Sequence, residues 1–74
     1  MIIFFNANML QSKRKHLNLT QAKLAEKADI SERYVRSLEA SKKGNPSAVL
    51  VYRLSRALQL TMDDLMTIDQ EEYK

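Results

Sequence analysis

The sequence predicts an all-α fold of five short helices, to which the chain ends can add a short two-stranded ribbon. Three observations carry that prediction. Hydrophobic residues make up 45% of the 74 residues, enough for a packed core, yet glycine and proline occur once each. That is too few for the turns of an all-β sandwich or barrel. Apolar residues also recur three and four positions apart through most of the chain, the spacing of one helix face. Cysteine is absent and histidine occurs once, so the expected fold has no disulfide, no thiolate zinc site, no metal and no cofactor. A chain this short closes one core, so residues 1–74 are expected to form a single domain. Such a domain buries only about 60–65% of its unfolded surface, which makes a dimer a reasonable source of further stability.

The elements follow in order. Residues 1–7 form an apolar arm or strand, in which Ile2–Phe5 is β-prone but too short to be a signal peptide or to span a bilayer, so the chain reads as soluble and cytoplasmic. Asn8–Leu17 carries Leu10, Arg14 and Leu17 on one stripe and ends at Asn18, a residue that tolerates the left-handed conformation. Thr20 caps a second helix, Gln21–Ala28, with Leu24, Ala25 and Ala28 inward. Asp29 and Ile30 turn the chain. Ser31 caps a third helix, Glu32–Glu39, with Val35 and Leu38 inward and Glu32, Arg33, Arg36 and Ser37 outward.

Ala40–Pro46 gathers the turn residues, including the single Gly44 and Pro46, into the one clear loop. A fourth helix runs from Ser47 to about Gln59 with Leu50, Leu54, Ala57 and Leu58 inward. Thr61 then caps a short fifth helix whose first turn holds Asp63 and Asp64, where the helix dipole favours acids. Met66–Ile68 is a second β-prone segment. It either pairs with Ile2–Phe5 as an antiparallel ribbon, the preferred reading, or packs as an irregular arm.

Charge is unevenly placed. Residues 1–56 hold eleven basic side chains against four acidic ones, a net +7, whereas residues 57–74 are net −4 and end in an acidic tail over 67–74. A basic domain face suits a polyanionic partner, although a charge run alone is also what any solvated face looks like. Residues 20–39 decide between these. Two helices join through a tight turn, with the small Ala25 where they cross, Ile30 plugging the turn, and Val35 and Leu38 pinning the second helix.

In Leu19-Thr20-Gln21-Ala22-Lys23-Leu24-Ala25-Glu26-Lys27-Ala28, Ile30-Ser31-Glu32-Arg33-Tyr34-Val35-Arg36-Ser37-Leu38-Glu39 and Asn45-Pro46-Ser47, the chain resembles the phage repressor and Cro-like (XRE) helix-turn-helix regulators. The resemblance covers roughly Leu10–Met66 and implies a lambda-repressor-like DNA-binding domain. Asp29 departs from the glycine common in the family's turn. The resemblance places the third helix in the major groove, making Glu32, Arg33, Arg36 and Ser37 base readers. For the arginines the alternative is a solvated face or an intrahelical Glu32–Arg36 pair.

It also implies phosphate contacts from Gln21, Ser31, Tyr34, Lys42, Lys43, Asn45 and Ser47. Tyr34 can instead pack its ring against the motif, and the loop lysines can simply be solvated. Arg14 and Glu39 occupy the places of an ion pair found in related repressors. Ile3, Phe5, Met62, Met66 and Ile68 are candidates for a dimer interface or, alternatively, for closing the core of one subunit.

The expected function is thus a stand-alone, sequence-specific regulator that binds double-stranded DNA and represses as a homodimer on a palindromic operator. The rival is an antitoxin-like module that binds a partner protein through its ends. RNA binding fits less well, since the tyrosines form no stacking platform. An enzyme fits least. His16 stands alone and no glycine-rich phosphate loop exists.

Overall fold

The computed structural model describes residues 2–40 and 46–69. In order these form β1 (Ile2–Phe5), α1 (Ala7–His16), α2 (Gln21–Ala28), α3 (Glu32–Ala40), α4 (Ala48–Leu58), a single 3-10 turn (Asp63–Leu65) and β2 (Met66–Asp69). No described helix is long and apolar enough to cross a membrane. The expected all-α class needs one correction. There are four helices among the described residues, not five, and the expected fifth is the 3-10 turn.

The reason is a competition for backbone. Thr61 and Asp64 do close on each other as a helix start would: the Asp64 N–H donates to the Thr61 hydroxyl at 3.2 Å, and the Thr61 N–H donates to the Asp64 carboxylate at 3.0 Å. After one turn, however, the chain is taken up by β pairing, in the register Ile2 with Asp69, Ile3 with Ile68, Phe4 with Thr67 and Phe5 with Met66. The Asn6 N–H extends that ladder to the Leu65 carbonyl at 2.7 Å. The ribbon expected from the chain ends therefore forms, antiparallel and within one chain, and β2 reaches Asp69.

Each helix start has a side-chain acceptor for an otherwise unpaired N–H. Asn6 accepts from Met9 at 2.9 Å, Thr20 from Lys23 at 3.0 Å, Ser31 from Tyr34 at 3.0 Å and Ser47 from Leu50 at 3.4 Å. Three helix ends share a second device. Asn18, Asp29 and Gln59 adopt φ near +60°, and the next residue donates back five positions: Leu19 to Arg14, Ile30 to Ala25 and Leu60 to Ser55. This is the Schellman closure that glycine usually serves. Leu19, Ile30 and Leu60 then turn their side chains against the core.

That core contains Phe5, Leu10, Leu24, Ala25, Ala28, Val35, Leu38, Val51, Leu54, Leu58 and Leu65. Val51, not Leu50, is the buried residue of the first turn of α4, and Ser55 is buried with its hydroxyl donating to the Tyr52 carbonyl at 2.7 Å. Leu54 and Leu58 are buried as expected, while a buried serine that serves its own helix does not read as part of an apolar stripe.

Candidate nucleic-acid interface

The two central helices meet closely because Ala25 carries only a methyl group at the crossing, with Val35 and Leu38 buried against α2 and the rest of the core. Burying those positions orients α3 completely. Glu32 and Arg36 form one exposed row and Arg33 and Ser37 the next, all four facing solvent. The anticipated intrahelical pair is present: Arg36 Nη2 donates to Glu32 Oε2 at 3.1 Å. Tyr34 lies at the margin with its ring packed against the core.

Behind this face sits a polar hub. Arg14, on the buried stripe of α1, donates through Nε to Glu39 Oε2 at 2.6 Å, through Nη2 to Glu39 Oε1 at 3.0 Å and through Nη1 to the Leu19 carbonyl at 2.8 Å. Gln21 and Gln11 donate to the same Glu39 Oε1 at 3.0 and 3.4 Å. The side chains are 10% exposed for Arg14 and 3% for Glu39, so both charges are largely withdrawn from water and both are paired.

Burial is the strongest single influence on Glu39 and pushes its carboxyl up. The hydrogen bonds from Arg14 and Gln21, the Arg14 charge and the Gln11 hydrogen bond together outweigh burial and hold the carboxyl below its ordinary value. Asp64 is also held low, chiefly by the Thr61 N–H and hydroxyl.

The hub joins α1, the α1–α2 turn, the start of α2 and the end of α3. Gln11 was missed in the sequence because a neutral amide on a half-buried face breaks no pattern. Arg53 was also missed. It donates from α4 to the carbonyl of Asp29 at 3.3 Å, steadying the turn between α2 and α3.

Among the expected phosphate contacts, Gln21 is half-buried with its amide on Glu39, while Ser31 and Ser47 are exposed at helix starts. Lys42, Lys43 and Asn45 lie outside the described residues. Of the expected dimer residues, Phe5 is corrected. It is 2% exposed and belongs to the core, because β1 lays it over the helices. Ile3 (54% exposed) and Met62 face solvent, Met66 packs against the core, and the side chain of Ile68 is outside the described residues.

These features define a helix-turn-helix whose second helix offers a polar, charged face, and comparison with known proteins agrees. The helix-turn-helix family model HTH_3 matches residues 10–65. An uncharacterized HTH-type transcriptional regulator of Methanothermobacter thermautotrophicus is 31% identical over 67 residues, covering 89% of this chain and 96% of that protein. The crystal structure of SinR, the master regulator for biofilm formation of Bacillus subtilis, in complex with DNA superposes with a TM-score of 0.73 at 26% identity, covering 77% of this chain and 90% of that one. The restriction-modification controller protein C.AhdI of Aeromonas hydrophila gives 0.71 at 26% identity, covering 78% and 86%. The chain belongs to the XRE-type helix-turn-helix family of DNA-binding transcriptional regulators.

Proposed function

We propose that the protein is a sequence-specific regulator that represses transcription as a homodimer bound to a palindromic operator. The observation that carries this reading is the outer face of α3. Four side chains able to hydrogen-bond base edges stand exposed on two adjacent rows, while the same helix is fixed by two buried apolar residues and an ion pair at its end. A helix so held enters the major groove as a rigid reader. The likeness to SinR, whose crystal structure contains DNA, supports the same use of this fold.

Glu32, Arg33, Arg36 and Ser37 read bases. Gln21 and Ser31, at the starts of α2 and α3, and Ser47, at the start of α4, present polar groups where helix N-termini attract phosphate, and Tyr34 adds its hydroxyl. Lys42, Lys43 and Asn45, outside the described residues, are the remaining phosphate contacts of this reading. Two copies double these contacts, and the exposed Ile3 and Met62 supply apolar surface for their association. The remaining candidates are the partly buried Met66 and also Ile68, whose side chain lies outside the described residues.

The test is selection of bound duplexes from a random pool, followed by a salt titration of the winner. A palindromic winner whose affinity falls steeply with salt is expected. No enrichment of any duplex, or an asymmetric winner bound by one copy, overturns the proposal.

A further inference from the structure

The ion pair on α3 carries more information than two independent readers would. In the major groove a G·C pair, read from the purine, shows two acceptors and then a donor: N7 and O6 of guanine, then the N4 amino group of cytosine. The complement is two donors and then one acceptor. Arg36 and Glu32 present that order, a guanidinium and a carboxylate already joined by a 3.1 Å contact. Within a base pair, guanine O6 and cytosine N4 are themselves hydrogen-bonded and so about 3 Å apart. The spacing of the protein pair therefore matches the spacing of the groups on one base pair.

We propose that Arg36 and Glu32 act as one unit that reads a single G·C base pair in a fixed orientation, Arg36 on guanine and Glu32 on cytosine. This rests on the reading that α3 lies in the major groove. Four further features of the site fit. Both side chains are about half exposed, so the pair is accessible as a pair. The fork of the arginine keeps donors to spare after one has been given to Glu32. The carboxylate stands in the first turn of α3, where the helix N-terminus favours a negative charge. Arg33 and Ser37 lie on the neighbouring row, so the pair's row is free to address one step of the duplex.

The consequence is stringency. Reversing the pair to C·G sets a donor against the cytosine amino group and the carboxylate against guanine O6. Replacing it by A·T sets a donor against the adenine amino group and the carboxylate against thymine O4. Each of these brings like groups together and is rejected, not merely unread. T·A alone keeps an acceptor and then a donor at the two central positions, thymine O4 and the adenine amino group. It is discriminated only by the lost guanine N7 acceptor and the thymine methyl in its place.

The test is to repeat the duplex selection with the wild type, with Glu32→Ala and with Arg36→Ala, then to measure binding to the winner with one base pair changed at a time. Both positions are exposed, and circular dichroism serves as the control that each variant keeps its helices. The wild type should lose about 5- to 150-fold in affinity on changing one G·C pair to C·G or A·T, and least on changing it to T·A. Each variant should flatten its preference at that same pair and retain it elsewhere, with the double variant no flatter than either single one. Losses that map to two different base pairs, or a Glu32→Ala protein that binds every sequence more tightly with its preferences intact, overturn the paired reader and leave the DNA-binding proposal standing. A wild type that selects no duplex overturns both.

Discussion

Glu39 is the side chain on which most of the architecture converges. It takes hydrogen bonds from Arg14, Gln11 and Gln21 while nearly excluded from water. Removing it leaves the Arg14 guanidinium buried with only the Leu19 carbonyl, and Glu39→Ala should cost about 3–5 kcal/mol, seen as a large fall in melting temperature. The pH response follows from its lowered pKa. The folded state binds this proton less readily than the unfolded chain does. The stabilisation is thus complete above the ordinary glutamate value of about 4.3 and is lost as pH falls through the lower folded value. Thermal unfolding in acid should decline more steeply for the wild type than for Glu39→Gln, and parallel declines would remove this role. Gln59 offers the opposite opportunity. It holds φ of 60° with a full side chain, and Gln59→Gly should raise stability by about 0.5–1 kcal/mol in denaturant melts. Arg14 was legible in the sequence because a charge on an apolar stripe demands a partner. Gln59 was not, since its left-handed backbone is imposed by the packing of Leu60 and leaves no mark on residue type.

At the scale of elements, caps decide the boundaries. Thr20 and Ser31 each accept an N–H where the sequence places a cap, Ser47 caps α4 where the sequence starts the helix, and α2 runs from Gln21 to Ala28 as expected from Thr20 and Asp29. Ser31→Ala should destabilise by about 1 kcal/mol and fray the first turn of α3, measurable as faster amide exchange there. If Ser31 also contacts phosphate, as proposed, the same variant loses affinity beyond what its stability accounts for. The expected fifth helix does not form because a distant partner outweighs the local signals. Thr61, Asp63 and Asp64 make a sound helix start, but pairing of Met66–Asp69 with a segment at the far end of the chain claims the following residues. No window of sequence around residue 64 contains that competitor. On α4 the expected Leu54 and Leu58 are buried, and Ser55 joins them because it satisfies its own hydroxyl within the helix and can be buried like an apolar residue.

For the molecule as a whole, the uneven charge and the helix-turn-helix point to the same partner. In the proposed dimer the two recognition helices lie about 34–36 Å apart, so operator half-sites should be centred 10–10.5 base pairs apart. Inserting about five base pairs puts the half-sites on opposite faces of the duplex. A gel shift should then show only the one-copy complex, and unchanged two-copy binding would exclude a rigid two-fold assembly. The ribbon has a consequence of a different kind. The helices gather residues near in sequence, whereas β1 and β2 join Ile2 to Asp69, a closure whose entropic cost falls late in folding. Phe5→Leu, which loosens the ribbon from the core, should therefore leave the refolding rate almost unchanged and hasten unfolding, giving a φ-value near zero in stopped-flow chevrons. The helices set how quickly the native state is reached. The clasp at its two ends sets how long each molecule survives before it opens.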